Sequence, residues 1–158
     1  MFVAPADGTF LEISKYLYNK SCALVGSSAQ LLNHSYGSDI DSHDVVVRVN
    51  DAPIRGYEKY VGRRTADVIF TSAGQAMNRC PNTVHNRTII VKGWYLAPLA
   101  GVEDCKERFS LPVYSISPYL TAFTIDMLTE YELKCFNDNS ISKPTSGLYA
   151  IVFCLNFC

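Results

Sequence analysis

Two short apolar runs, each cut off by small polar residues, constrain this chain more than anything else in it. Cys22-Ala-Leu-Val-Gly-Ser-Ser28 is a row of strand formers that stops at a glycine and two serines. Val45-Val-Val-Arg-Val-Asn50 places four valines in six positions and stops at Asp51-Ala-Pro53. Continuous apolar runs of this length suit strands buried on both faces, as in a parallel sheet. Such a sheet sets the strand ends side by side at its carboxyl edge, where open α/β folds bind their ligands. Gly26 lets the backbone come close to a ligand. The N–H groups of that turn, with those of a helix opening at Ala29, point toward an anion. Neither a G-x-G-x-x-G fingerprint nor a P-loop G-K-[ST] is present, so two familiar phosphate sites do not apply.

The remainder of the chain repeats the alternation. Thr65 to Thr71, Thr88 to Trp94 and Leu111 to Ser117 read as further strands, the last pushed toward an edge by Pro112. Phe10 to Tyr18 predicts a short helix, Ala29 to Asn33 a helical turn, and Val102 to Phe109 a charged helical turn. Tyr36 to Ser38 reads as loop, and Ile54 to Arg63 as a polar connection punctuated by Gly56 and Gly62. From Ser117-Pro118 the period changes, with Leu120, Phe123/Thr124, Met127/Leu128 and Tyr131 on one helical face. Asn137 to Ser142 is a turn-rich break, and Leu148 to Cys158, apolar almost all round, predicts a helix buried on most sides. Strands alternating with helical stretches predict an α/β fold with a mostly parallel, Rossmann-like sheet flanked by helices.

At 158 residues the chain makes one domain with enough material for a core. A net charge of −1 with scattered basic residues gives nucleic-acid binding no electrostatic support. No window approaches 18 consecutive apolar residues, so no membrane span is expected within this chain. The first eight residues lack the basic start and long apolar centre of a signal peptide. Six cysteines (22, 80, 105, 135, 154, 158) form no C-x-x-C pair, which argues against a zinc ribbon or thioredoxin-type site. Cys154 and Cys158 could share a helical face, but no histidine or second pair joins them. No metal site is expected, because Asp39-Ile-Asp41 precedes a strand, whereas a manganese-binding pair would end one. Sequons at Asn19, Asn33 and Asn86, with the even cysteine count, lean toward an oxidising lumen. Histidine is a common general base, but His43 stands before a strand, at the end away from the expected site, and reads as structural. His34 and His85 lie in polar loop sequence and read as solvated.

Taken in order, Cys22-Ala-x-Val-Gly-x-Ser28, Asp41-Ser-His-Asp44, Arg48-x-Asn-x-Ala-Pro53 and Val61-Gly-Arg-Arg-Thr65 resemble the long sialylmotif of eukaryotic sialyltransferases. The resemblance runs unbroken over about a third of the chain. Pro144-Thr-Ser-Gly-Leu148 resembles the start of the short sialylmotif. Hydroxyls and a glycine at a helix N-terminus suit a phosphate or ribose, since free N–H groups and the helix dipole favour oxygen anions. Taken alone, Thr145 or Ser146 reads first as an ordinary N-cap closing a core helix.

The resemblance implies the sialyltransferase variant of the GT-A type glycosyltransferase fold, incomplete at the C-terminus. It divides the chain into an N-terminal extension, 1–21, and a partial catalytic domain carrying the donor-nucleotide half, 22–158. It implies transfer of sialic acid from CMP-sialic acid, the donor substrate, to a glycan hydroxyl on a glycoprotein or glycolipid. The reaction would invert the anomeric carbon and use neither metal nor cofactor. Gly26, Ser27, Ser28 and Asn50 would then hold phosphate and ribose, with Thr145, Ser146 and Gly147 on the cytidine side. Ser27 stands where many members carry an asparagine with longer reach. The resemblance also implies a disulfide between Cys22 and Cys158; otherwise Cys22 is a buried core thiol. In the family the general-base histidine lies in motifs beyond the short sialylmotif, so no catalytic residue is expected within these 158, which look like a fragment. The resemblance places the full-length protein in the Golgi lumen as a type II membrane protein whose anchor is outside this chain. A second reading is a non-catalytic remnant that binds CMP or a partner without transfer. A short dehydrogenase is disfavoured by the missing glycine fingerprint and the lack of a helical Tyr-x-x-x-Lys pair.

Overall fold

Parallel strands joined in chain order are the backbone of the molecule. The computed structural model describes residues 8–71, 88–92, 107, 113–115, 118–136 and 144–158. Strands β1 (Cys22–Val25), β2 (Val45–Val49), β3 (Val68–Thr71), β4 (Ile89–Lys92) and β5 (Val113–Ser115) form one sheet in the order β1-β2-β3-β4-β5. Every pairing is parallel, with Val25 opposite Arg48 and Val49 opposite Phe70. All residues of β2 and β3 are buried, as the unbroken apolar runs require of strands covered on both faces. β5 lies at the sheet edge, the place that Pro112 predicts.

Connections of one hand between neighbouring parallel strands fall on one face of a sheet. Here α2 (Gly37–Ser42) and α3 (Glu58–Val61) both do, packing Ile40 and Val61 on Ala23, Val25 and Val46. The opposite face carries α1 (Gly8–Leu17) and α5 (Ser146–Phe157), which close over Val45, Val47, Val49, Val68 and Phe70. α1 belongs to the segment expected as an N-terminal extension, yet its Ile13 and Leu17 are part of this core. Phe153 of α5 meets Phe70 edge to face with ring centroids 4.9 Å apart. α4 (Pro118–Phe136) lies beside α5 and brings Leu120 to the same core.

Several local expectations shift. Gly37 and Ser38 open α2 instead of a loop. A Cβ on Gly37 would lie 2.1 Å from the carbonyl oxygen of Glu58, so backbone contact with α3 selects the helix there. The polar stretch 54–63 contains α3, closed by Gly62 at φ 78°, a conformation that glycine adopts without strain. β3 starts at Val68 rather than Thr65, because the Asp67 carboxylate accepts from Val46 N in place of a backbone carbonyl. α5 is buried or half-buried round most of its circumference, as expected, but it keeps one exposed stripe: Ile151 and Leu155, one turn apart, are 47% and 81% exposed. One sheet face cannot cover a helix that is apolar all round. On α4 the expected face is only half realised, with Thr124 buried but Tyr131 56% exposed. The expected break at 137–142, the helical turn at 102–109 apart from Glu107, and the outer parts of strands four and five lie outside the described residues.

Candidate functional site

The carboxyl edge gathers the polar ends of three elements. β1 ends at Val25 opposite Arg48, so Gly26 and Ser27 come level with Val49 and Asn50 one and two steps on. Asn50 leaves β2 with φ 58°, the left-handed region that asparagine tolerates, and its N–H is held by Phe70 O at 2.8 Å. That twist turns its side chain toward α5, where Nδ2 donates to Ser146 Oγ at 3.3 Å across 96 residues of sequence. Asn50 Oδ1 is buried and accepts nothing from the described residues. A buried amide oxygen left this way costs stability, so the atom is a standing acceptor for a hydroxyl or N–H brought to this edge.

Each remaining residue of the expected site has a definite place here. Thr145 is the N-cap of α5: its Oγ1 accepts from Leu148 N at 3.2 Å, leaving its own hydroxyl proton to be donated. Ser146 is buried and faces Asn50. At Gly147 an added Cβ would meet only Thr145 Oγ1, at 3.6 Å. Ser28 caps the 3₁₀ turn Ala29–Asn33, accepting from Gln30 N at 3.2 Å, while Ser27 is exposed. A Cβ on Gly26 would meet nothing within 4 Å, so this glycine answers to no packing inside the fold. With the N-terminal dipole of the twelve-residue α5, the edge presents hydroxyls, free N–H groups and one bare amide oxygen. That donor set suits a phosphorylated sugar or nucleoside. A cavity of about 950 Å³, lined by Asp51, Pro53, Arg55, Glu58 and Arg63, opens alongside.

The other charged residues of the first motif are spent on holding the fold together. Arg48 is 2% exposed and donates through Nη2 to Val61 O and Arg64 O, both at 2.8 Å. Burial pulls its pKa below the usual arginine range, against the pull of nearby Asp41. Asp41 accepts from the N–H groups of Arg63 and Arg64. Partial burial alone would raise its pKa, but those N–H groups and the Arg48 and Arg64 charges outweigh it and hold it low. Asp44 is held low by the N–H and hydroxyl of Ser21. Arg64 donates to the His43 and Asp44 carbonyls and pairs with Asp67 at 2.9 Å. His43 Nδ1 lies 2.9 Å from Asp39 O. These groups tie α2, β2 and the 61–67 return together, and the sequence betrays the network only as charges inside and beside a valine strand.

Cys22 and Cys158 are bonded, with Cα atoms 5.8 Å apart, at the amino end of β1 and the far end of α5. Cys154 is a free thiol whose pKa burial pushes up to about 11. Asn19 and Asn33 are exposed, as is His34; Asn86 and His85 lie outside the described residues. Among the described residues no three metal-binding side chains converge, and no helix is long and apolar enough to cross a membrane.

Known proteins resemble this chain in sequence and in fold. The model of glycosyltransferase family 29 (sialyltransferase) matches residues 10–158. Beta-galactoside alpha-2,6-sialyltransferase 2 of Gallus gallus is 30% identical over 156 residues, which is 87% of this chain and 29% of that protein. Type 2 lactosamine alpha-2,3-sialyltransferase of Homo sapiens is 32% identical over 161 residues, 88% of this chain and 47% of that protein. The chain thus spans less than half the length of these curated relatives. A mammalian sialyltransferase crystallised with Gal-beta-1-3GalNAc-ortho-nitrophenol superposes with a TM-score of 0.58 at 19% identity, over 99% of this chain and 64% of that one, a likeness of fold. The chain belongs to the sialyltransferases of glycosyltransferase family 29.

Proposed function

We propose that these residues form the donor half of an enzyme that moves sialic acid from CMP-sialic acid to a glycan hydroxyl of a glycoprotein or glycolipid, with inversion and without metal. The observation that carries the reading is the Asn50–Ser146 hydrogen bond, which joins the two motifs at the edge where an α/β sheet binds ligands. In this reading the Gly26–Ser28 turn and Asn50 hold the phosphate and ribose, with Asn50 Oδ1 accepting from a ribose hydroxyl, and Thr145, Ser146 and Gly147 lie on the cytidine side. Such preorganised donors stabilise the charge that grows on CMP as it leaves. Removal of the acceptor proton is assigned to none of the described residues. The Cys22–Cys158 disulfide fits an oxidising compartment, in keeping with the Golgi lumen.

The test is a calorimetric titration of the chain with CMP. Asn50→Ala removes a hydrogen bond to a neutral hydroxyl or N–H of the nucleoside, expected to cost roughly 0.5–1.5 kcal/mol, or about a 2- to 12-fold weaker Kd. Unchanged CMP affinity in a folded Asn50→Ala variant would sink the assignment.

A further inference from the structure

Two of the three sequons fall on described residues, and the fold treats them differently. In Asn19-Lys-Ser21 the hydroxyl belongs to the structure. Ser21 Oγ donates to Asp44 Oδ2 at 2.8 Å and accepts from Asp44 N at 3.0 Å, while Ser21 N donates to the same carboxylate at 2.9 Å. Asn19 itself sits at φ 61° in the tight turn between α1 and β1. This Asn-x-Ser is explained by folding alone: a turn asparagine followed by a serine that locks β1 to β2. In Asn33-His-Ser35 nothing is explained by folding. All three residues are exposed, and among the described residues neither the Asn33 amide nor the Ser35 hydroxyl makes a hydrogen bond. His34 leaves the 3₁₀ turn in extended conformation (φ −140°, ψ 154°), and its ring leans on Tyr36, 5.5 Å away. The disulfide between Cys22 and Cys158 supplies an independent sign that the chain folds in a compartment where sequons are modified.

We propose that Asn33 carries an N-linked glycan, and that Asn19 is occupied poorly or not at all. In the transfer, Asn33 Nδ2 loses a proton and bonds to the anomeric carbon of the first N-acetylglucosamine. The bond from that carbon to the diphosphate of a lipid-linked oligosaccharide breaks, and the diphosphate leaves with the electron pair. Modification of Asn33 competes with no native contact before or after folding. At Asn19, folding withdraws the hydroxyl that the transferring enzyme must recognise. A glycan on Asn33 would stand at the close of the turn that begins at Ser28.

The inference depends on passage through the secretory lumen and not on CMP binding, so the two can fail separately. The chain is expressed with a secretory leader in eukaryotic cells, treated with an N-glycan amidase in heavy-oxygen water, and mapped by peptide mass spectrometry. The expected result is isotope-labelled aspartate at position 33 in most molecules and at position 19 in few. Asn33→Gln and Ser35→Ala should each remove that one glycan and leave the Tm of the deglycosylated protein unchanged, whereas Ser21→Ala should lower it. An unmodified Asn33 in secreted, folded protein overturns the proposal. Equal occupancy at Asn19 and Asn33, or a lowered Tm in deglycosylated Ser35→Ala, overturns the physical reason given for it.

Discussion

Gly26 and Gly37 look alike in the sequence, and the fold asks opposite things of them. A methyl at Gly37 would be driven into the Glu58 carbonyl, so Gly37→Ala must push α2 off α3, at about 3 kcal/mol by the usual cost of overpacking. A methyl at Gly26 meets open space and should change stability by no more than about 0.5 kcal/mol, while hindering a ligand that must approach that backbone. Thermal unfolding and CMP titration of both variants separate the two. A Gly26→Ala protein that binds CMP normally would remove Gly26 from the site. Asp41 and Asp44 extend the residue scale to pH. Both have folded pKa values held below the ordinary 3.8, so their stabilisation is present in full above that value and is lost as pH falls through the lower folded values. Fluorescence-monitored urea unfolding should show stability declining below about pH 4, less steeply in Asp44→Asn. Identical slopes in the two proteins would show that Asp44 contributes nothing.

At the scale of elements, α5 is the one on which the site depends, and its start is tested at Thr145. Thr145→Ala removes the oxygen that accepts from Leu148 N and should cost about 1 kcal/mol of stability, with Thr145→Ser restoring most of it. Urea midpoints for the three proteins decide this; no loss in the alanine variant would mean that the first turn is held by something other than its cap. This helix was open to reading from Pro144-Thr-Ser-Gly and the apolar run behind it, as β1 and β2 were from their valines. α2 was not, because glycine, serine and aspartate favour turns locally and only the backbone contact with α3 makes a helix of them. Arg48 was hidden for a related reason. A valine run predicts the strand, but its guanidinium finds partners only because the chain returns through 61–64 beneath it. Asn50 was named for the site from a family pattern; the left-handed backbone that aims it at Ser146 is a property of three dimensions.

At the scale of the whole molecule, the disulfide closes a loop with 136 residues of separation, which embraces the entire sheet. In the chain-entropy picture, a link of that span raises stability by about 5 kcal/mol through the unfolded state. Cys158→Ser should therefore shift the unfolding midpoint sharply, as should a reductant on the parent protein, with no further effect of the reductant on the variant. A small shift would mean that the reduced chain stays compact. α5 runs from this staple to the ligand edge, a length of roughly 18 Å for twelve residues. It is a spar clamped at its foot by a covalent bond and trimmed at its tip by one hydrogen bond. A pivot of one degree at the foot moves the tip by roughly 0.3 Å over that length, so a few degrees suffice to part Ser146 from Asn50. The covalent clamp at one end of the molecule is thus what keeps the aim true at the other.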